Sequence, residues 1–454
     1  MDEPASHWQA RLTELAAAAR VPGASLGIWS GGREILAACG VLSTATGVSV
    51  TPDALFQIGS ITKVWTASMI MQLIGEGRLP LDSAVAQIMP GFRLTTSDVG
   101  GQVTIRHLLT HTSGVDGDIF TDTRRGSGCL ERYTAALARA TLTYPVGRAY
   151  SYCNSGFVLL GRIIEVLDGR EWDASLRERL IRPLKLAQTV TLPEEAILHR
   201  AAVGHRADPG VPVSVWGLPR SLGPAGLITA SARDVLAFAR LHLEGGTLPG
   251  GRRLLSQESV PAMQQRQFGI PADAAGGAAV GLAWRLYPTG GRMIIGHNGS
   301  TVGQTAYLRI DPQARLIACL PTNAPEAEAL CQQLFSEIFQ AYAGAQIPRG
   351  HEPVTGVAVD LGRHTGRYER TSRRYDVSVR NGALHMTASM TGDRARLSDD
   401  GPQEFVLHPA DASGDRFVFR SHDAEPWSPV LFGQLDDQLP YLFTGGRITL
   451  RTSS

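Results

Sequence analysis

The sequence predicts a mixed α/β domain, in which helices cover a sheet, followed by a small all-β domain. Three observations predict this fold class. An amphipathic stretch at the start is followed by two strand-like runs joined by a glycine turn, and helical periodicity returns several times in the middle of the chain. The C-terminal quarter of the chain shows only the alternation of strands. The 454 residues allow two or three domains of about 150 residues each.

The first helix is predicted from apolar residues that recur every three to four positions: Trp8, Leu12, Leu15 and Ala19. This spacing predicts a helix over 8–21, with Ser6 as its N-cap. Two apolar runs, 24–29 and 34–39, flank Ser30-Gly31-Gly32 and predict a hairpin. A helix followed by a hairpin suggests a sheet with a helix laid across it.

Renewed apolar periodicity predicts five further helices: 61–73, 105–109, 130–140, 155–167 and 232–243. The segment 281–320 has a different pattern, in which short apolar or alternating runs replace the helical period. These runs predict strands at 292–296, 304–310 and 316–320. Helices and strands thus alternate along most of the chain.

A composition shift separates the predicted domains. Prolines and a glycine interrupt a polar stretch at 346–355 that has no periodic apolar residues, which predicts a linker. We therefore predict one domain over 1–345 and a second over 356–454. In the second, Asn381-Gly382 lies between two alternating runs, a strong signal for a β-hairpin. Further strands are predicted at 416–420 and 441–450.

Charge and composition exclude several classes of protein. The 43 basic and 42 acidic residues leave a formal charge of +1, so no long-range field attracts nucleic acid or an anionic membrane. The sequence has no apolar stretch of membrane-spanning length and no signal peptide at its start, from which we expect a cytoplasmic protein. The five cysteines are scattered, without the spacing of a disulfide framework or a zinc site.

Ser60 and Lys63 form the first candidate catalytic pair. Only two of the 43 basic residues are lysines, Lys63 and Lys185, so the chain otherwise uses arginine as its surface cation. A serine at a helix N-terminus and a lysine three residues later share one helical face. A desolvated lysine can lose its proton and activate the serine, whereas arginine cannot. The alternative is an ordinary first-turn lysine. Lys185 has no partner motif.

Tyr152 and Asn154 form a second motif, in the segment Tyr150-Ser151-Tyr152-Cys153-Asn154 that enters a predicted helix. A phenol and an amide two residues apart on such a loop can point to one site. The phenol can relay a proton to a leaving group, and the amide can hold Lys63 or a substrate carbonyl. The alternative is a core tyrosine beside a helix-capping asparagine.

His297 belongs to a third motif, Gly296-His297-Asn298-Gly299-Ser300, which follows an apolar run. A glycine-rich strand end lets a ligand lie along its edge, so Asn298 and Gly299 are candidate substrate-binding residues. A backbone N–H of Ser300 can pair with that of Ser60 to hold an oxyanion. The alternative is a hairpin turn with a solvated histidine.

In this order, the three motifs resemble the serine β-lactamase and penicillin-binding protein superfamily, in particular its class C-like branch. Four other segments are similar to blocks of that family: 56–63, 77–82, 105–114 and 223–227. The resemblance covers roughly residues 10 to 340. It implies an antiparallel sheet flanked by helices, with a mostly helical subdomain inserted between the first and third motifs. The family uses no metal or cofactor, so we expect none.

The resemblance also implies catalytic roles. Ser60 would be acylated, Lys63 and Tyr152 would share general-base and general-acid duty, and Asn154 would position the substrate amide. The N–H groups of Ser60 and Ser300 would form the oxyanion hole. His297 stands where β-lactamases of this group usually carry a lysine, which argues against efficient β-lactam hydrolysis because imidazole is mostly neutral near pH 7.

Within the superfamily, the chain most resembles the penicillin-binding-protein-type thioesterases. The missing signal, the H-x-G motif, the stretch 219–226 and a C-terminal unit similar to a lipocalin-like β-barrel carry this resemblance. It implies a serine acyltransferase that takes a peptidyl thioester, free or carrier-protein-bound, and releases it by head-to-tail macrocyclisation with some hydrolysis, in nonribosomal peptide biosynthesis. The alternative is an intracellular esterase or D-stereospecific aminopeptidase or carboxypeptidase. No nucleic acid or membrane partner is expected.

Two further residues are candidates for substrate binding. Trp216 lies in the proline-rich loop 208–224 and can pack a substrate side chain, although a loop anchor fits the pattern equally well. Arg447 follows Gly445-Gly446 in the second domain and can bind a peptide carboxylate if that domain covers the cleft. The alternative for Arg447 is a solvated arginine at a turn.

Overall fold

An eight-stranded antiparallel sheet and a closed eight-stranded barrel organise the chain. The computed structural model describes the residues of ten segments: 5–94, 100–140, 142–207, 210–271, 279–347, 350, 352–397, 401–423, 425–435 and 439–452. The predicted fold class, an antiparallel sheet flanked by helices plus a C-terminal β-barrel, is confirmed. None of the helices among the described residues is long and apolar enough to cross a membrane.

The strands of the N-terminal region are β1 (Gly23–Ser30), β2 (Arg33–Gly40), β3 (Phe56–Gln57), β4 (Thr189–Val190), β5 (Thr229–Ala230), β6 (Phe268–Gly269), β7 (Ala279–Val280), β8 (Arg285–Thr289), β9 (Arg292–Ser300), β10 (Thr305–Asp311) and β11 (Leu316–Thr322). The large sheet has the order β2-β1-β11-β10-β9-β8-β7-β6, and β3, β5 and β4 form a small second sheet. The predicted hairpin is present, since Ser30 of β1 pairs with Arg33 of β2.

The helices are α1 (Ala5–Ala18), α2 (Thr62–Gly75), α3 (Val85–Ile88), α4 (Ile105–Leu109), α5 (Cys129–Ala136), α6 (Asn154–Asp168), α7 (Trp172–Leu176), α8 (Arg182–Leu184), α9 (Pro193–Ala196), α10 (Gly223–Gly226), α11 (Ala232–Leu243), α12 (Ser259–Gln264) and α13 (Glu328–Ala343). The first helix already includes Ser6, so the prediction that Ser6 caps it is wrong. The apolar stripe that predicted this helix says little about which residue begins it.

Helices cover both faces of the large sheet. Strand β11 shows why, because its side chains alternate between two cores: Leu316, Ala318 and Leu320 pack with α1 and α13, whereas Ile317 and Cys319 pack with the helical region. Helix α2 lies inside that region and is buried at every position from Thr62 to Leu73. A helix that is buried on all sides holds the residues at its N-terminus in a fixed place.

The C-terminal barrel closes because β12 pairs with both β13 and β19. Its strands are β12 (Gly366–Arg370), β13 (Arg373–Arg380), β14 (Ala383–Met390), β15 (Gln403–Pro409), β16 (Arg416–Phe419), β17 (Ser428–Leu435), β18 (Leu439–Thr444) and β19 (Arg447–Thr452). The predicted Asn381-Gly382 hairpin is present, with positive φ at both residues. The predicted strand region 441–450 is two strands, β18 and β19, which turn at Gly445-Gly446.

The region between the two bodies contains the predicted linker. Helix α13 ends at Ala343 and β12 begins at Gly366, and 346–355 lies between them. Within that linker, Pro348, Arg349 and His351 lie outside the described residues. The predicted boundary positions themselves stay a prediction.

Candidate active site

Ser60 lies in a 3₁₀ turn, Gly59–Ile61, that leads directly into α2. Strand β9 passes so close to this turn that side chains would not fit. A Cβ on Gly299 would lie 1.9 Å from the Ile58 carbonyl oxygen, and one on Gly59, whose φ is +52°, would lie 2.6 Å from the Ser300 nitrogen. Glycine at both positions therefore brings the backbones of Ser60 and Ser300 side by side, as the predicted oxyanion hole requires.

Lys63 is fully buried beneath Ser60. Its Nζ lies 3.0 Å from the Ser60 Oγ and 2.6 Å from the Ala225 carbonyl oxygen. Burial, and next the positive charge of Arg447, lower the pKa of Lys63 well below its ordinary value. A neutral amine can donate one N–H to Ala225 and still offer its lone pair to the Ser60 hydroxyl. The geometry is that of a nucleophile and its base.

Tyr152 lies next to both Lys63 and Ser60. Its ring centroid lies 4.8 Å from the Lys63 Nζ, and the residue is 7% exposed. Burial raises the pKa of the Tyr152 phenol, and the adjacent Ser60 hydroxyl opposes the rise only in part. The phenol therefore keeps its proton at neutral pH and can donate it.

Asn154 is the first residue of α6, and the cap of that helix is the Cys153 side chain, so the alternative of a capping asparagine is wrong. The Asn154 Nδ2 donates to the Asp118 carboxylate at 2.8 Å. Within the described residues, its side chain thus bonds Asp118 and not Lys63, although Asn154 still lines the cleft above Ser60.

His297 is buried on β9, with 3% exposure, so the alternative of a solvated histidine is wrong. Its Nδ1 lies 2.6 Å from the Asn298 carbonyl oxygen, which can only accept, so this nitrogen carries the proton. Burial, followed by the charge of Lys63, lowers the pKa of His297 well below its ordinary value. The position at which the resemblance leads us to expect a lysine is therefore occupied here by a neutral ring.

Arg447 reaches the same site from the barrel. Its guanidinium lies 4.7 Å from the Tyr152 ring centroid, and the Tyr152 N–H donates to the Gly446 carbonyl at 2.9 Å. The Arg447 side chain is 18% exposed and pairs with Asp118, so the alternative of a solvated turn arginine is wrong. The loop between β18 and β19 forms part of the active-site wall.

Asp118 is a site residue that the sequence analysis missed. Its side chain is completely buried, and three arginines of the barrel face it: Arg370 at 2.6 Å, Arg447 at 2.7 Å and Arg394 at 3.5 Å. Burial alone would raise the pKa of this carboxyl, but the three charges hold it well below its ordinary value. The Asp116-Gly117-Asp118 segment comes shortly after the segment 105–114, which is similar to a family block. That closeness was the one signal in the sequence that could have pointed to Asp118.

A cleft of about 900 Å³ opens above Ser60, between the sheet domain and the barrel. Asn298 and Gly299 line it, and the Asn298 Oδ1 accepts from Arg309 at 2.7 Å. Trp216 is absent from the described residues that line the cleft, and its indole N–H donates to the Ala202 carbonyl at 3.1 Å. These contacts favour the alternative in which Trp216 anchors its loop. Asp208 and Pro209 of its loop lie outside the described residues.

Ordinary contacts account for other potential metal ligands. The His111 Nδ1 accepts the Cys153 N–H at 2.9 Å, a contact that suits a structural histidine. Among the described residues, one group of three metal-ligating side chains occurs, Glu326, His422 and Glu425, where the barrel meets the sheet domain. Glu326 and His422 are more than one-third exposed, as in an ordinary solvated cluster.

Comparisons with known proteins agree with this arrangement. The Beta-lactamase family model matches residues 8–340. Penicillin-binding protein 4 of Amycolatopsis lactamdurans is 42% identical over 371 residues, which are 80% of this chain and 97% of that protein.

Two solved structures are also similar. The structure of SurE with D-Leu is 27% identical, covers 99% of both chains and has a TM-score of 0.76. The structure of a D-stereospecific amidohydrolase from Streptomyces sp. is 26% identical and covers 75% of this chain and 99% of its own, with a TM-score of 0.59.

Proposed function

Because this chain belongs to the beta-lactamase family of serine hydrolases, we propose that it is an acyltransferase that macrocyclises activated peptides. Ser60 takes the acyl group of a peptidyl thioester, free or carrier-bound, and the peptide's own amine releases it, with some hydrolysis. The observation that carries this proposal is the neutral base beside Ser60, under a peptide-sized cleft that the barrel closes on one side.

The first step forms an ester on the enzyme. The Ser60 Oγ attacks the thioester carbonyl carbon while the Lys63 Nζ takes the hydroxyl proton. The backbone N–H groups of Ser60 and Ser300 hold the oxyanion of the tetrahedral intermediate. When the intermediate collapses, the C–S bond breaks and the thiolate takes a proton by way of Tyr152. The products are the acyl-enzyme and a free thiol.

The second step releases the peptide. The peptide amine attacks the ester carbonyl carbon, the C–O bond to Ser60 breaks, and the proton of the amine returns to the serine oxygen through Tyr152 and Lys63. An amide bond closes the ring, and the enzyme regains its hydroxyl. Water in place of the amine gives the linear acid.

The cleft favours a peptide over a small ester. Its walls carry aromatic side chains from both bodies: Phe120, Phe405, Phe419 and Trp427. Such walls exclude water from the ester while the chain folds back. The arginines that face Asp118 leave positive charge in the wall, so Arg447 is proposed to contact an acidic group of the peptide. The similarity to SurE solved with D-Leu supports a D-residue at the acyl position.

The test is a reaction with linear peptides activated as simple thioesters, with either a D- or an L-residue at the acyl position. We expect the D-peptide to give a product one water lighter than the linear acid by mass spectrometry, and Ser60→Ala to give none. If only unreacted peptide remains across varied termini, cyclisation is wrong.

A stereospecific hydrolase is the second candidate, favoured by the similarity to the Streptomyces D-stereospecific amidohydrolase. It predicts turnover of D-amino amides and short p-nitrophenyl esters to linear products, without a macrocycle. The ratio of cyclic to linear product from one thioester decides between the two functions.

A further inference from the structure

Asp118 has more hydrogen-bond partners, from more parts of the fold, than a single structural ion pair requires. One oxygen, Oδ1, accepts from the Asn154 Nδ2 at 2.8 Å and from Arg447 at 3.0 Å, and the other, Oδ2, accepts from Arg370 at 2.6 Å. The carboxylate thus joins the first residue of α6 to two strands of the barrel. A completely buried carboxylate is tolerated only when its partners satisfy it, and here the barrel supplies most of them.

The partners of Asp118 are also neighbours of the proton-transfer groups. Arg447 stacks over the Tyr152 ring at 4.7 Å, and that ring lies 4.8 Å from the Lys63 Nζ. Asp118 and Arg447 therefore place one negative and one positive charge close to the base that the proposed acylation uses.

We propose that Asp118 is a positioning residue for acyl transfer, which fixes Arg447 of the barrel and Asn154 beside Ser60 so that the docked barrel sets the charge that Lys63 experiences. The inference rests on the proposed roles of Ser60 and Lys63 and is independent of whether the product is cyclic. Asp118 acts through these neighbours and through its own charge, and it does not contact the reacting atoms.

Four further groups around Lys63 carry no charge at neutral pH. Burial lowers the pKa values of His111 and His297, so both rings are neutral. Burial raises the pKa of Cys153 to about 12 and also raises that of Tyr152, so both keep their protons. Arg285 of β8 adds a positive charge near His111, His297 and Tyr152, and it is the same in every variant below.

Arg447 and Asp118 act on Lys63 in opposite directions: the charge of Arg447 lowers the pKa of Lys63, and that of Asp118 raises it. Two neutralising variants should therefore have opposite effects. Arg447→Gln should move the pH midpoint of Ser60 acylation up, and Asp118→Asn should move it down, each by about half a pH unit to one unit. The double variant should return near the wild-type midpoint.

The measurement is the rate of Ser60 acylation by a short p-nitrophenyl ester as a function of pH, with intact-mass detection of the acyl-enzyme. Asp311→Asn is the control, because Asp311 is a buried carboxylate paired with Arg292 on the large sheet, away from the cleft. We expect its midpoint to match that of the wild type. Arg447→Lys keeps the charge and should keep the midpoint.

Midpoints that move in the same direction, or do not move, overturn the proposal. If Asp118→Asn does not fold, the comparison of Arg447→Gln with Arg447→Lys still decides, because only the former removes charge. Wild-type protein that forms no acyl-enzyme with the ester refutes the proposed roles of Ser60 and Lys63. Normal acylation without a macrocycle refutes cyclisation alone.

Discussion

The two walls of the active site differ in which basic side chains keep their proton. In the wall from the sheet and helical domain, burial lowers the pKa of Lys63, His111 and His297, so these three groups are neutral, while Arg285 of β8 keeps its charge. The wall from the barrel holds arginines that stay charged and converge on Asp118. Burial can remove a proton from lysine or histidine, whereas a buried arginine stays charged and needs acceptors or a carboxylate around it.

Some arginines also serve inside the fold, in addition to the expected use of arginine as a surface cation. Arg370 is 7% exposed in its pair with Asp118, and Arg309 is 5% exposed where its guanidinium stacks over Tyr287 and bonds Asn298. Arginine offers a planar fork that binds several acceptors at once, which suits it to positions inside the fold.

The largest expected effect tests whether the neutral Lys63 is the base. Lys63→Arg should reduce Ser60 acylation by a p-nitrophenyl ester about 10²–10⁴-fold, because a guanidinium cannot accept the serine proton. Lys185→Arg is the matched control, since Lys185 is exposed at the end of α8, and it should retain full activity. A fully active Lys63→Arg enzyme would show that Lys63 is not the base.

The next effect concerns the backbone contact between β9 and the turn that holds Ser60. Gly299→Ala should push β9 away from Ile58 and reduce acylation about 10²–10³-fold, because one oxyanion donor is displaced. Gly91→Ala is the control, because a Cβ there meets no atom within 4 Å. Equal rates for the two variants would mean that the contact at Gly299 does not position the donor.

A smaller effect tests the charged wall. Arg394 lines the cleft and, at 3.5 Å, is the most distant of the three arginines from Asp118, so its guanidinium is available to a ligand. Arg394→Gln should raise KM about tenfold for a peptidyl ester with an acidic side chain and leave its neutral amide unchanged. Arg380→Gln, an exposed arginine paired with Glu404 on the barrel, should change neither KM. Equal changes in KM for both substrates would rule out carboxylate recognition by Arg394.

The smallest effect extends the comparison to stability. His242 is buried in the helical core against Ser68, and burial lowers its pKa to about 3. The unfolded chain therefore takes up a proton as the pH falls below about 6.5, while the folded chain does not do so until near the folded pKa. His242 alone should lower the free energy of unfolding by about 1 kcal/mol between roughly pH 7.5 and pH 6, and further towards pH 3.

Urea titrations at each pH measure this loss, and His242→Gln should reduce it. His408→Gln, at an exposed site on the barrel, should leave the pH dependence of the wild type intact. An unchanged slope in His242→Gln would assign the loss to other groups.

Local spacing predicted part of the candidate site. Ser60 and Lys63 are three residues apart at a helix start, so their proximity follows from helix geometry alone. Their relation to Tyr152 and His297 came from resemblance to a family, because nothing in the spacing of residues so far apart places them together. Asp118 was missed because its charged partners lie more than 250 residues away, in the barrel.

The sequence by itself determined the fold class, the hairpins at 30–32 and 381–382, and the proximity of Ser60 and Lys63, because these depend on periodicity, turn chemistry and short-range helix geometry. Only the tertiary structure decided which side chains near Ser60 are charged. Among the described residues, packing buries Lys63 and His297 with no carboxylate in ion-pair contact, and it places Arg447 against Asp118. Charge state depends on desolvation and on neighbours that are distant in the chain, and a linear sequence contains neither quantity.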